Sequence, residues 1–226
     1  MVDRIGMIPL FQGLPPQQLQ DLAGIALSRT YHRNDPIFLE GEEASGLYVA
    51  VSGRVKIFKL SSDGKEQILH IFGPGEPFGE VAVFAGRRFP ANAEALEETQ
   101  VLCFPRTAFV ALIQKEPSLA LNMLAVLCLR LRQFAHMVEN LSLKEVPGRL
   151  AAYLLLETDQ MGQPAELELG IAKGQLASLL GTIPETLSRI LAKMSNQGLI
   201  EVDGPRIRIV DREGLEDLAE SGKFAN

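Results

Sequence analysis

Two apolar stripes on either side of a glycine constrain this chain more than any other feature. Leu176, Leu179 and Leu180 recur at helical spacing before Gly181; Leu187, Ile190, Leu191 and Met194 recur at the same spacing after it. The spacing predicts two short helices joined by a tight turn. Glu185, Thr186, Ser188 and Arg189 open the second helix and stand off its stripe. Gly198 is placed to stop it. Leu199-Ile200-Glu201-Val202 and Arg206-Ile207-Arg208-Ile209-Val210 then read as two strands around an Asp203-Gly204-Pro205 turn. A helical hairpin alone is common in enzymes. Two helices followed by a strand hairpin make a winged helix-turn-helix, whose second helix sets its first residues against base edges in the major groove. The residue types suit base recognition. Arg bonds guanine through two donors, Glu accepts from cytosine N4, and Ser or Thr serves either base.

Charge supports this reading only locally. The chain carries 22 Lys and Arg against 28 Asp and Glu, a net −6. Nucleic-acid binders usually show a basic footprint. Over residues 170–210, however, Lys173, Arg189, Lys193, Arg206 and Arg208 face only Glu185, Glu201 and Asp203, five cations against three anions. Phosphate contacts need positive charge only along the contact line. Hydrophobic content of 46% and charged content of 22% are those of an ordinary soluble protein, with room for one large domain or two small ones. No apolar run reaches the ~18 residues that a bilayer span requires. Met1-Val2-Asp3-Arg4-Ile5 lacks the apolar core of a signal peptide. Cys103 and Cys128 form neither a metal spacing nor a disulfide framework. A cytoplasmic location with no membrane partner is expected.

Along the chain, residues 15–28 read as a short helix with Leu19, Leu22, Ala23 and Ala26 on one face, Pro15 and Pro16 suiting its first turn. From about residue 30 to 104, short apolar runs alternate with glycine-bearing turns. Leu47–Val51, Arg54–Leu60 and Gln67–Phe72 are strand-like, with a hairpin turn at Ser61–Glu66. Regular short strands of this kind predict a small barrel or roll. Residues 105–116 predict a helix ending near Pro117, and Ser118 is expected to cap a longer one running to Leu143. Leu124, Leu131 and Val138 fall seven apart, as do Leu127, Phe134 and Leu141. Two interleaved series at that spacing mark a coiled-coil seam and predict a homodimer. Arg130, Arg132, Gln133 and Glu139 form the polar side of this helix. Pro147-Gly148 then reads as a break and hinge. The domains expected are an effector-sensing roll over 1–117, a dimerisation helix and hinge over 118–146, and the winged helix-turn-helix over 147–226.

This order of parts resembles the CRP/FNR superfamily of bacterial transcription regulators. The resemblance spans nearly the whole chain. It is carried by Gly41-Glu42, Gly53, Pro74-Gly75-Glu76-Pro77-Phe78-Gly79-Glu80, Val146-Pro147-Gly148-Arg149-Leu150 and Glu185-Thr186-Leu187-Ser188-Arg189-Ile190-Leu191. It implies an α+β fold: an N-terminal β-roll like the cyclic-nucleotide-binding domain (a double-stranded β-helix), a long dimerisation helix and a C-terminal winged helix-turn-helix. It implies a dimeric, sequence-specific regulator rather than an enzyme, with double-stranded DNA as partner and RNA polymerase as a candidate one. The spacing of Glu185 from Ser188-Arg189 is similar to the FNR-like branch, which reads TTGA-type half-sites; regulators of nitrosative stress lie nearest. Pro184 stands where the CRP-like branch has Arg. Glu185, Ser188 and Arg189 are therefore the expected base contacts, and Thr182, Thr186 and Arg206 the expected phosphate contacts.

For the small-molecule effector the resemblance is mostly negative. Phe78, Gly79, Glu80, Arg88, Phe89, Phe134 and Ala135 mark the expected pocket. Family members that bind cyclic nucleotides follow Gly-Glu with an Arg that pairs the cyclic phosphate; Phe89 occupies that position here. Arg88 falls one residue early, which in an extended segment points it to the opposite side. Phe134 and Ala135, placed to meet the purine, offer no hydrogen bond. Cyclic AMP is therefore not expected, because a buried phosphate without a charged partner is costly; a shift of the loop that carries Arg87 and Arg88 is the way back to a cyclic-nucleotide-responsive regulator. Two cysteines cannot hold the four-cysteine iron–sulfur cluster of FNR itself. An apolar pocket suits haem or another uncharged ligand, with His136, His70 and His32 as candidate axial ligands and Cys103 or the N-terminus as others. A cupin-like metal enzyme would need clustered His and carboxylates, and three scattered histidines argue against it.

Overall fold

The computed structural model describes residues 1–85, 88–160 and 166–224. They divide into two compact units, Met1–Leu131 and Arg132–Asn226. The first begins with α1 (Val2–Gly6), a single 3-10 turn at Pro9–Phe11 and α2 (Pro16–Ile25). Then come β1 (Leu27–Tyr31), β2 (Pro36–Phe38), β3 (Gly46–Ser52), β4 (Val55–Leu60), β5 (Glu66–Phe72), β6 (Pro77–Phe78), α3 (Val81–Phe84), β7 (Asn92–Ala95), β8 (Thr99–Pro105), α4 (Arg106–Lys115) and α5 (Pro117–Leu143), within which the unit boundary falls. The second unit continues with α6 (Val146–Gln160), β9 (Glu166–Glu168), α7 (Lys173–Leu179), α8 (Pro184–Asn196), β10 (Ile200–Asp203), β11 (Arg206–Ile209) and α9 (Arg212–Ser221).

Two antiparallel four-stranded sheets, ordered β1-β8-β3-β6 and β2-β7-β4-β5, build the roll. Alternation along the strands explains why β3 and β8 read as nearly continuous apolar runs: both their faces are buried. Leu47, Val49, Leu102 and Phe104 face outward into a cluster with Ile5, Leu10, Phe11, Leu22 and Phe109. Tyr48, Ala50, Val101 and Cys103 face inward, among Phe38, Phe72, Phe78 and Phe89. Burial pushes the Cys103 thiol pKa up and leaves it a packing residue.

Three local expectations need correction. The helix expected over residues 15–28 stops at Ile25, because Leu27 onward pairs with β8, Leu27 opposite Cys103. Ser118 does not cap the long helix: α5 already starts at Pro117, whose ring suits a first turn. Pro147-Gly148 does not break the chain either. Both lie in the first turn of α6, and the break precedes them at Lys144-Glu145. Gly148 answers to a close approach instead: a Cβ there would lie 2.4 Å from the Gly222 Cα at the end of α9. The amino-terminal turns around Ile5, Leu10 and Phe11, the strand β9 and the helix α9 were not expected. Each is fixed by partners distant in sequence.

By length and composition α5 is apolar enough to cross a bilayer. Its apolar residues are nevertheless spaced in sevens. Leu124, Leu131 and Val138 are 53%, 70% and 63% exposed, Phe134 and Leu141 are exposed, and Leu127 is half-buried.

Candidate nucleic-acid interface and the interior of the roll

The paired helices of the second unit form because each buries one stripe. Leu176, Ala177 and Leu180 of the first helix and Leu187, Ile190, Leu191 and Met194 of the second enter one core with Leu150, Leu154, Ile200 and Ile207. Leu179, expected in that stripe, is half-buried outside the cluster, and Ala177 takes its place. Gly181 makes the turn at φ +67°, a left-handed conformation that favours glycine. The wing is an antiparallel pair, Ile200 opposite Ile209 and Asp203 opposite Arg206, extended on its far side by β9.

Burying that stripe leaves Glu185, Ser188 and Arg189 exposed together at the start of α8. Arg189 Nη2 rests 3.5 Å from Thr186 Oγ1, a long contact that leaves most of its donors free for a partner. Thr182 is half-buried in the turn, its N–H donating to the Ala177 carbonyl at 2.9 Å. On the wing, Arg206 lies 3.8 Å from Glu166, and Arg208 Nε donates to Glu201 at 3.2 Å. These exposed pairs are worth about 0–1 kcal/mol each, so a phosphate can displace the carboxylates at little cost.

The expected effector residues are differently placed. Arg88 and Phe89 point to opposite sides, Arg88 exposed and Phe89 buried. The Phe89 ring stacks on Phe38 at 3.7 Å between centroids and 9° between planes. Phe38 in turn packs on Tyr48 and Phe78, and Phe78 on Phe72. Two backbone hydrogen bonds hold Phe89 in place, its N–H to the Glu42 carbonyl and the Gly41 N–H to its own carbonyl, both at 2.9 Å. Arg88 Nη1 donates to the Gly41 carbonyl at 2.8 Å. Gly79 follows Phe78 at φ +73°. Glu80 is taken by a residue that no pattern in the sequence singles out: Arg130 of α5 donates Nη1 to Glu80 at 2.5 Å and Nη2 to the Pro77 carbonyl at 2.6 Å, its guanidinium 4.6 Å above the Phe72 ring. Burial alone would raise the neighbouring Glu76 carboxyl, but His70, the Gly73 N–H and Arg130 hold its pKa below the usual value. Phe134 and Ala135 are exposed on the part of α5 that belongs to the second unit. Arg87, also expected in the effector loop, lies outside the described residues.

This interior does not fit a cyclic nucleotide. Phe89, expected at the place of the anion's partner, is a buried ring, and Glu80 is already bonded to Arg130. Haem fits no better. The rings occupy the inside of the roll, and the candidate ligands do not converge: His32 is exposed, His70 sits against Phe72 and Glu76, and His136 is exposed beside Glu139. Among the described residues no group of three His, Cys, Asp or Glu is placed to hold a metal ion.

Residues 28–116 match a family described as cyclic nucleotide-binding domain, and residues 148–218 one described as Crp-like helix-turn-helix domain. The chain is similar to a protein of Thermus thermophilus named Cyclic AMP receptor protein, 33% identical over 211 residues that cover 93% of this chain and 96% of the relative. It is similar to the fumarate and nitrate reduction regulatory protein of Escherichia coli, 29% identical over 199 residues, 86% of this chain and 79% of the relative. The solved structure of FixK2 from Bradyrhizobium japonicum matches with a TM-score of 0.76 at 26% identity, covering 89% of this chain and 99% of that one.

Proposed function

The chain belongs to the CRP/FNR superfamily of transcription regulators, and from that premise we propose that it reads DNA as a homodimer, one α8 in each of two successive major grooves of a TTGA-like palindrome. In this reading Glu185, Ser188 and Arg189 contact base edges, while Thr182, Thr186 and Arg206 contact phosphates and fix the register. The single observation that carries it is the division of α8, whose buried stripe holds the helix while those three side chains stay exposed side by side. Leu124, Leu127, Leu131, Phe134, Val138 and Leu141 form the dimer seam. The exposure of all but the half-buried Leu127 in one chain supports pairing, and their seven-residue spacing favours a partner helix over a bilayer, which asks for apolar residues all round. The site of action is the cytoplasm, where DNA and RNA polymerase are met together.

Control passes through the packing of α5, and an effector shifts it only by as much as it favours one arrangement over the other. The Thermus relative is named for cyclic AMP; this chain, with Phe89 in its core and Arg130 on Glu80, does not take that ligand in the proposed reading. An uncharged effector would have to displace Phe89 from its stack.

Selection of bound duplexes from a random pool tests the proposal. The expected product is a palindrome with half-sites about one helical turn, ~34 Å, apart. Leu131→Glu with Val138→Glu is expected to give single chains by sedimentation and to lose the palindrome. A wild-type chain that sediments alone and selects no motif overturns the reading.

A further inference from the structure

A cleft of about 490 Å³ opens in the second unit between the start of α6, the side of α8 and Phe224. Arg149, Arg189 and Lys193 line it with Thr186, against one carboxylate, Glu145. A chain of net charge −6 thus gathers three cations around one hollow. Small-molecule pockets are lined mainly by apolar and aromatic side chains. This lining, led by cations, selects for an anion.

Two of those cations lack what a cation wants. Lys193 Nζ lies 4.0 Å from the centre of the Phe224 ring, which attracts the charge without accepting conventional hydrogen bonds from its three donors. Among the described residues no carboxylate pairs with it. Arg149 Nε is buried with no acceptor, and burial lowers the pKa of its guanidinium. A phosphate oxygen in the cleft would be a charged acceptor for the Arg149 guanidinium that lines it. Thr186 and Arg189 belong both to the cleft and to the start of α8, so an anion seated here lies beside the bases that α8 reads.

We propose that the cleft seats one phosphate of the DNA backbone, held by Arg149 from α6 and Lys193 from α8. This rests on α8 being the reading helix. The contact adds affinity and fixes register; it carries no sequence information.

The test compares the wild type, Lys193→Gln, Arg149→Gln and Arg189→Ala on a selected duplex and on a scrambled one over a range of salt. Lys193→Gln is expected to weaken both duplexes by the same factor and to reduce the slope of log affinity against log salt by about 1. Arg149→Gln is expected to do the same. If Arg149→Gln fails to fold, the exposed Lys193 decides alone. An unchanged slope, or a loss confined to the selected duplex, overturns the proposal. So does inorganic phosphate that raises the melting temperature of the wild type but not of Lys193→Gln while the slope stays unchanged, which marks the cleft as a free-anion site. A wild type that binds neither duplex overturns the reading of α8, and this contact with it; a wild type that binds while Lys193→Gln keeps its slope overturns the contact alone.

Discussion

The interior of the roll and the exposed side of α8 treat their chemically active groups in opposite ways. In the first unit the chain itself consumes the described groups expected at the effector site. Phe89 is stacked on Phe38, Glu80 is bonded to Arg130, and Arg88 holds the Gly41 carbonyl. On α8, Glu185, Ser188 and Arg189 stay exposed, and the Arg189 guanidinium makes a long 3.5 Å contact with the Thr186 hydroxyl. A satisfied site contributes to the stability of its own unit. An unsatisfied one keeps its interaction energy for a partner. Substitutions in the two places are therefore expected to register in different measurements.

The largest expected effect lies in the roll. Phe89→Ala removes a buried ring and is expected to cost about 3–5 kcal/mol in denaturant unfolding; a negligible loss would mean that the stack is not part of the core. Glu80→Gln weakens a bond whose two side chains are only 20% and 11% exposed. The expected loss is about 1.5–3 kcal/mol of stability, and calorimetry with cyclic AMP should still show no micromolar binding. Tight binding of the nucleotide by the wild type would break the comparison, since the interior would then not be sealed. On α8, Arg189→Ala should leave the melting temperature unchanged, cost about 1–3 kcal/mol on the selected duplex and relax its preference. Equal loss on random DNA would reassign Arg189 to phosphate. The smallest effect belongs to the wing: Arg208→Ala should change stability by at most about 1 kcal/mol, because its pair with Glu201 is exposed.

The residues differed in how much they disclosed before folding. Helix periodicity around Gly181 and strand alternation in β10 and β11 are local signals, and the helix-turn-helix and its wing appear where those signals put them. The hairpin turn expected at Ser61–Glu66 likewise joins β4 to β5, one residue shorter than read, since Glu66 already pairs with Leu60. Local reasoning failed where a distant partner decided the outcome. Leu27 falls within the range expected for a helix and becomes a strand residue because β8 offers it a ladder. Gly148 reads as a hinge but lies in the first turn of α6, where Gly222, far along the chain, leaves no room for a side chain. Arg130 looked like one more polar residue on a long helix. Its role depends on Glu80 and Pro77, fifty or more positions away, and no periodicity encodes that.

The amino-acid order by itself determined the kind of molecule: a roll of short strands, a long helix with a sevenfold apolar repeat, and a winged pair of helices. Each is written in residue spacings that repeat within one element, and hydrophobic burial enforces them wherever the element ends up. Only the tertiary structure decided the fate of the ligand site. Whether Phe89 lines a cavity or fills it, and whether Glu80 waits for a ligand or already holds Arg130, depends on packing between segments far apart in the chain. Close-packed interiors settle such questions by shape, at distances where the sequence has no period to offer.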